Sequence, residues 1–569
     1  MTRSKLLLSL FAWLLPLLST SSPSAEVLPA TIPSECQVFP KDTLGAEEAP
    51  PAVPGDLSTM HREIARLYQA AQGATLWLHD GIATPQARVL AERLSQASSK
   101  GLSPDAYDGV DWGKLLQDSA EFTGPIRECR DQTLDLALSE AVMRYIFHLR
   151  MGRVDPRKLE IGLDVEPKRF DLAGFLLELA RSPGPGALLD GLEPPFPSYR
   201  ALVQALQRYR DLAADRRMQT PLASVNGALH PGEHYRDALQ LAYRLERWGD
   251  LPKGRAGAFK GTLYTKELAQ GVKRFQGRHG LRADGALGPD TFREINVPMT
   301  ERVRQIQLSL ERWRWMPDDL GHRPIFVNVP EYKLYALEGD AKGGYQLDLE
   351  MNVIVGETYP KHRTPLFHSA MRYLVFAPYW NVPISIVRRE LYEKLKRDPG
   401  YASRHNYEIV KGLGPREPSL PVNEGTLAGL WRGTLRLRQR PGTRNALGEV
   451  KFMFPNDHSV YLHGTPKKGL FAKDKRALSH GCVRVADAAR LAAYVLNQEP
   501  GWDRARVDAL IASGKNHRVN LSVPLDVYLL YGTAVAEPDG TVRFFRDVYG
   551  DDERLSQALE RVGGSAPAI

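Results

Sequence analysis

The chain has 569 residues, too many for one hydrophobic core and enough for roughly three or four domains. Its 43% apolar and 25% charged residues are ordinary for folded protein and exclude both global disorder and a polytopic membrane protein. The net charge of +8 is spread along the whole length, which argues against a nucleic-acid partner and admits an acidic polymer outside the cytoplasm.

The first residues, MTRSKLLLSLFAWLLPLLSTSSPSA, place Arg3 and Lys5 before about a dozen apolar residues and end in small residues around Ser22 to Ala25. This is the pattern of a secretory signal over residues 1–25, with cleavage or retention as an anchor left open. Residues 26–57 carry Pro40, Pro50, Pro51 and Pro54 without an apolar period, as an extended tether does. Of the three cysteines, Cys36, Cys129 and Cys482, at least one must remain a free thiol, and Cys36 with Cys129 is one available pairing.

Residues 58–220 read as a helical scaffold region. Thr84 and Pro85 start a helix with Leu90, Leu94 and Ala97 on its apolar face, ending at Gly101. In LALSEAVMRYIFHLRMG, Leu138, Val142, Ile146 and Leu149 recur at helical spacing up to Gly152, so this stripe is core. PGPGALLDGLEPPFP interrupts the region. No catalytic constellation stands out in it.

Residues 228–297 form a smaller helical unit with Leu268, Val272 and Phe275 on one helix and Phe292 and Ile295 on the next. Gly280, Gly285 and Gly288 free the backbone of the turn between them, and Pro289 suits the first turn of the second helix. VKRFQGRHGLRADGALGPDTF resembles the peptidoglycan-binding-type domain of bacterial wall enzymes. A connecting segment follows over 298–321, where Val303, Ile306, Leu310 and Trp313 mark one helix face.

The period then changes to that of strands. PIFVNVP, YKLYAL, YQLDLEMNVIVG and SAMRYLVFAPYWNVP begin a β-rich domain over 322–555. IVRRELYEKLKRDPG is an inserted helix, and 401–447 reads as an inserted cap. VKFMFPNDHSVYLHGTP returns as a hairpin turning at Asn456 and Asp457, which puts His463 at a strand end. DAARLAAYVLN is helical from Asp487.

The chemistry concentrates in YLHGTPKKGLFAKDKRALSHGCVRV. A sulfur nucleophile needs a base, donors for an oxyanion and a group that holds the substrate. Cys482 suits the nucleophile and His463 the base, while Gly481 allows backbone N–H groups to approach a carbonyl oxygen. Arg484 can hold a carboxylate through a bidentate pair, and Ser479 and His480 shape the loop or touch substrate. Lys467, Lys468, Lys473, Lys475 and Arg476 form a basic loop, either simply solvated or attractive to substrate carboxylates. A metal site of His463, His480 and Cys482 lacks the usual fourth ligand and paired spacing, and an inert buried cysteine fits poorly with polar neighbours.

HGTP, a basic spacer and SHGCVR together resemble the signature of the L,D-transpeptidase catalytic domain, with His463 and Ser479 at the family's spacing. VGETYPKHRTP, FAPYWNVP and the tail PLDVYLLYGTAVAEPDGTVRFFRDVYG are similar to its large multidomain periplasmic branch, so the resemblance runs over about residues 58–555. It implies a multidomain α+β protein: a helical N-terminal scaffold, a small peptidoglycan-binding-type domain and a β-sandwich-like catalytic domain with a cap. It further implies Cys482 as the acylated residue, His463 as base, Ser479 to Arg484 as the oxyanion and donor-peptide loop, and Gly464 and Thr465 as support for His463 or contacts to substrate. The implied activity is 3→3 cross-linking of peptidoglycan stem peptides through a thioester, in the periplasm, without metal or organic cofactor. Hydrolysis of the same acyl-enzyme is the alternative within enzymes, and a non-catalytic wall-binding scaffold the alternative outside them.

Overall fold

The computed structural model describes residues 57–118, 123–159, 163, 165, 168–340, 344–358, 362–412, 414 and 417–562. The expected signal, the tether up to residue 56 and Cys36 lie outside them. Cys129 is disulfide-bonded, and Cys482 is the free thiol among the described residues.

The first region is helical. Thr84 accepts the Ala87 N–H at 3.1 Å, Pro85 fills the first turn, and the helix Pro85–Ser95 runs on through a tight turn to Gly101 at φ 73°. The long helix Gly124–Met151 buries Leu138, Val142, Ile146 and Leu149, as their spacing demands. It also buries Asp135, whose carboxylate accepts the Leu76, Trp77 and Leu78 N–H groups and the Tyr68 hydroxyl, tying down a small hairpin, β1 (Leu78–His79) and β2 (Ile82–Ala83). Gly152 ends the helix at φ 86°, and a Cβ there would lie 2.7 Å from Glu311 Oε1. Only glycine makes both the turn and the close approach.

In the next unit, helices Lys266–Arg278 and Pro289–Ile295 flank a loop organised by one amide. Gln276 donates to Asp284, Ala286 and Thr291 and accepts the Gly285 N–H. The helix Met299–Trp315 then runs through a core shared with the helix Pro197–Ala214. The heptad-like spacing marks one face, but Arg302, Gln305, Glu311 and Arg314 are buried on the others. Arg302, Gln305 and Glu311 are bonded by Glu294 and by backbone groups such as the Phe545 carbonyl and the Arg153 and Val154 N–H groups, and Arg314 donates to the Lys100 carbonyl.

The β-rich part begins with β3 (Ile325–Asn328), β4 (Lys333–Gly339), β5 (Tyr345–Gly356) and β6 (Phe367–Phe376). A small sheet then stands apart, with β8 (Tyr407–Val410) and β7 (Trp380–Asn381) on either side of β9 (Arg436–Gln439). It packs with the helices Tyr392–Arg397 and Glu424–Arg432 around its own core of Leu395, Ile409, Leu430 and Leu437. This cap subdomain starts at Trp380, before residue 401. The main sheet resumes with β10 (Val450–Met453), β11 (Leu462–His463), β12 (Ala477–Ser479), β13 (Val483–Val485) and β14 (His517–Leu530).

The strand order is β12-β5-β13-β11-β10-β6-β14-β3-β4, and β4 pairs back onto β5. The β-sandwich-like expectation thus becomes a sheet closed on itself. The twelve-residue β5 is long enough to pair with β4 over Tyr345 to Asn352 and with β13 at Val353 and Ile354. Closure removes exposed edges and wraps Val353, Leu374, Phe452, Leu462 and Val483 into one core. After it, β15 (Ala534–Ala536), β16 (Val542–Phe544) and the helix Asp551–Arg561 fold back onto the helical units. There Phe544 packs on Tyr209, and Arg278 donates to the Val542 carbonyl.

Candidate active site

Side chains alternate across a strand, and that alternation builds the site. Leu462 and Val483, paired in parallel, are fully buried in the core, so Tyr461, His463, Cys482 and Arg484 share the opposite face. Lys451, in register with His463 on β10, joins them, since its neighbour Phe452 is in the core. The Val483 N–H donates to the Tyr461 carbonyl at 3.1 Å, setting Tyr461 beside the cysteine.

Cys482 is half-buried in the turn between β12 and β13. Gly481 precedes it at φ 115°, a region that favours glycine. Ser479 braces the turn: its hydroxyl donates to the Cys482 carbonyl at 2.6 Å and accepts the Gly481 N–H at 3.1 Å. Thr364 ties the turn to β5, donating to the Gly481 carbonyl at 2.7 Å and accepting the Gly356 N–H at 2.8 Å. The Gly481 N–H is therefore already committed. The Cys482 N–H donates to no acceptor among the described residues and is the backbone donor left for an oxyanion.

His463 is buried, and its Nδ1 lies 2.6 Å from the Gly464 carbonyl. With Nδ1–H donating there, the lone pair sits on Nε2. Burial and then the Arg484 guanidinium push His463 down to about 3, with the Lys451 ammonium acting the same way, against the opposing pull of the Gly464 and Leu447 carbonyls. The imidazole is therefore neutral near neutral pH. Burial also raises the Cys482 thiol above its ordinary value, although Tyr461, Lys451 and Arg484 pull it down. At rest the sulfur is thus a thiol and the imidazole is neutral.

Gly464 and Thr465 are enclosed. The Gly464 N–H donates to the Val450 carbonyl, a Cβ at that position would meet Glu449 Oε2 at 2.5 Å, and the Thr465 hydroxyl accepts the Lys467 N–H. Both residues are buried, and the Gly464 carbonyl faces His463 Nδ1. His480 points to the cap, where its Nε2 pairs with Glu390 at 2.8 Å, and its ring packs on His362. Glu390 and Arg389 lie in a π-helical turn, Val387–Leu391, and Arg389 reaches His362 at 3.4 Å. Within the basic loop, Arg476 is structural, bonding the Val353 and Lys473 carbonyls, while Lys467, Lys473 and Lys475 are exposed.

Sequence reasoning passed over Tyr461, Lys451, Thr364 and Glu390. The first was within reach, because in YLHG a tyrosine two residues before His463 must share its face. Lys451 needed the strand register, and Thr364 and Glu390 come from distant segments. Among the described residues no group of three or more His, Cys, Asp or Glu side chains could hold a metal ion, and no helix is long and apolar enough to cross a membrane.

Three family models match the chain: a scaffold domain at residues 62–206, a "Putative peptidoglycan binding domain" at 236–295 and an L,D-transpeptidase catalytic domain at 322–519. A Haemophilus influenzae protein named "Putative L,D-transpeptidase" is 36% identical over 269 residues, covering 47% of this chain and 51% of that protein. A Thermotoga maritima elongation factor P is 30% identical over 119 residues, covering 20% of this chain and 63% of that protein. The chain thus spans about half the length of the first relative and less than two thirds of the second. Residues 322–519, which hold Cys482 and His463, are an L,D-transpeptidase catalytic domain, and the same chain carries a peptidoglycan-binding domain ahead of it.

Proposed function

We propose that the protein is an exported enzyme that forms 3→3 cross-links between peptidoglycan stem peptides through a thioester on Cys482. The observation that carries this reading is the free thiol on one sheet face with a neutral imidazole, Tyr461 and two cations. Cys482 attacks the amide between the L-centre of the diamino acid at the third stem position and the terminal D-alanine. The sulfur proton passes to His463 Nε2 as the C–S bond forms, and the Cys482 N–H receives the oxyanion. Collapse breaks the C–N bond, and His463 returns the proton to the departing amine.

The side-chain amine of a second stem then attacks the thioester, restoring the thiol and leaving the new amide. Arg484 has no carboxylate within ion-pair distance among the described residues, and this suits it to a substrate carboxylate. The peptidoglycan-binding domain supports a wall polymer as substrate, and the Cys129 disulfide is consistent with an oxidising compartment outside the cytoplasm.

The test is product analysis with disaccharide tetrapeptide. The wild-type protein should yield cross-linked dimer and free D-alanine, and Cys482→Ala neither. Tripeptide without dimer would replace transfer by hydrolysis, and undiminished dimer from Cys482→Ala would remove the nucleophile.

A further inference from the structure

Lys451 is a charged residue the mechanism above does not use. It stands on β10 in register with His463, its Nζ lies 4.0 Å from the centroid of the Tyr461 ring, and that tyrosine is set beside Cys482 by the Val483 N–H, which donates to the Tyr461 carbonyl at 3.1 Å. Among the described residues no carboxylate lies within ion-pair distance of it. A partly buried ammonium without an anion is costly unless negative charge arises beside it. The group available to supply that charge is the sulfur.

We infer that Lys451 is a positioning residue whose ammonium, held against the Tyr461 ring, is the counter-cation of negative charge on Cys482, a role that a protonated His463 would otherwise fill. The inference rests on the reading of Cys482 as nucleophile. Its logic is electrostatic: the folded protein disfavours imidazolium, so an ion pair of thiolate and imidazolium is a poor resting state, and the charge on sulfur must be met elsewhere. Lys451 acts on the sulfur in this sense, as Arg484 does. When the S–H bond breaks, the proton goes to His463 Nε2 and the electron pair forms the C–S bond, so Lys451 exchanges no proton. The other charged and titratable groups around the thiol are Tyr461, His463 and Arg484 on the same face, Glu357 with His362 after β5, and His480 with Glu390 and Arg389 from the cap.

The test follows alkylation of Cys482 by iodoacetamide against pH in the full chain, read by mass spectrometry of the Cys482 peptide. It needs no turnover, so it is separable from the cross-linking assay. Lys451→Met should raise the midpoint by about one pH unit, Lys451→Arg should keep it near wild type, and His463→Gln should move it little. An unchanged midpoint in Lys451→Met would overturn the inference. So would an equal shift in Lys451→Arg, which would mark a packing effect, or a rise confined to His463→Gln, which would return the role to imidazolium. If Lys451→Met does not fold, Lys451→Gln is compared with Lys451→Arg in the same assay.

Discussion

The Val483 N–H donates to the Tyr461 carbonyl at 3.1 Å and sets Tyr461 beside Cys482, and the strand that positions the tyrosine also positions His463 two residues on. Thiol, phenol and imidazole are therefore set by one pair of parallel strands, whose opposite face is locked by Leu462 and Val483 in the core. Tyr461→Phe keeps the ring beneath Lys451 and removes the hydroxyl that favours negative charge on the sulfur. Loss of a hydrogen bond to a charged group costs about 1.5–3 kcal/mol, so alkylation and acylation should slow by about tenfold or more at constant stability. An unchanged rate would show that the phenol does not support charge on sulfur.

The neutral imidazole predicts a pH dependence of stability. His463 titrates at about 3 in the folded protein, below the ordinary histidine value of about 6.5. As pH falls through that window the unfolded chain binds a proton that the folded chain refuses, so stability falls, by up to about 1.4 kcal/mol per pH unit. Urea unfolding of wild type and His463→Gln at several pH values isolates this contribution. The wild type's advantage should shrink between about pH 6.5 and 3. A difference independent of pH would mean that the fold does not disfavour the imidazolium.

Gly481 holds the nucleophile turn at a positive φ, and the nearest atom to a Cβ there is the Arg363 carbonyl oxygen at 3.4 Å. Gly481→Ala meets a conformational penalty rather than a clash. It should lower stability by about 1–3 kcal/mol and impair acylation by displacing Cys482. Full acylation with an unchanged unfolding midpoint would show that the turn tolerates a side chain.

The cap touches the nucleophile turn through Glu390 and His480, both partly exposed. Such a pair contributes about 0–1 kcal/mol, so Glu390→Gln should leave the unfolding midpoint almost unchanged. Its effect should be local, as faster amide exchange in Val387–Leu391 and around His480. Exchange identical to wild type would make this contact incidental.

Much of the fold was legible because its signals are local. The Thr84 cap, the stripe from Leu138 to Leu149 and the turn at Asn456 depend on residues a few positions apart, and each has a structural counterpart: Asn456, for example, accepts the Val460 N–H at 3.0 Å. The burial of helix Met299–Trp315 was not legible. Arg302 and Arg314 are buried because partners such as Glu294 and the Lys100 carbonyl arrive from elsewhere in the chain. Closure of the sheet was hidden for the same reason, since a strand's hydrophobic period does not name its neighbours.

The order of residues along the chain alone determined that Cys482 and His463 lie in one strand–loop–strand segment and that one thiol must stay free. Which groups surround that thiol was decided only when β10, β11 and β13 came into register, bringing Lys451 and Tyr461 to it, with Thr364 arriving from the β5–β6 connection and Glu390 from the cap. The physical reason is range: propensity and alternation act over a few residues, whereas burial and the field of nearby cations depend on segments far apart in sequence. Burial and those fields hold His463 neutral, and burial, against the pull of the same cations, keeps the sulfur protonated at rest.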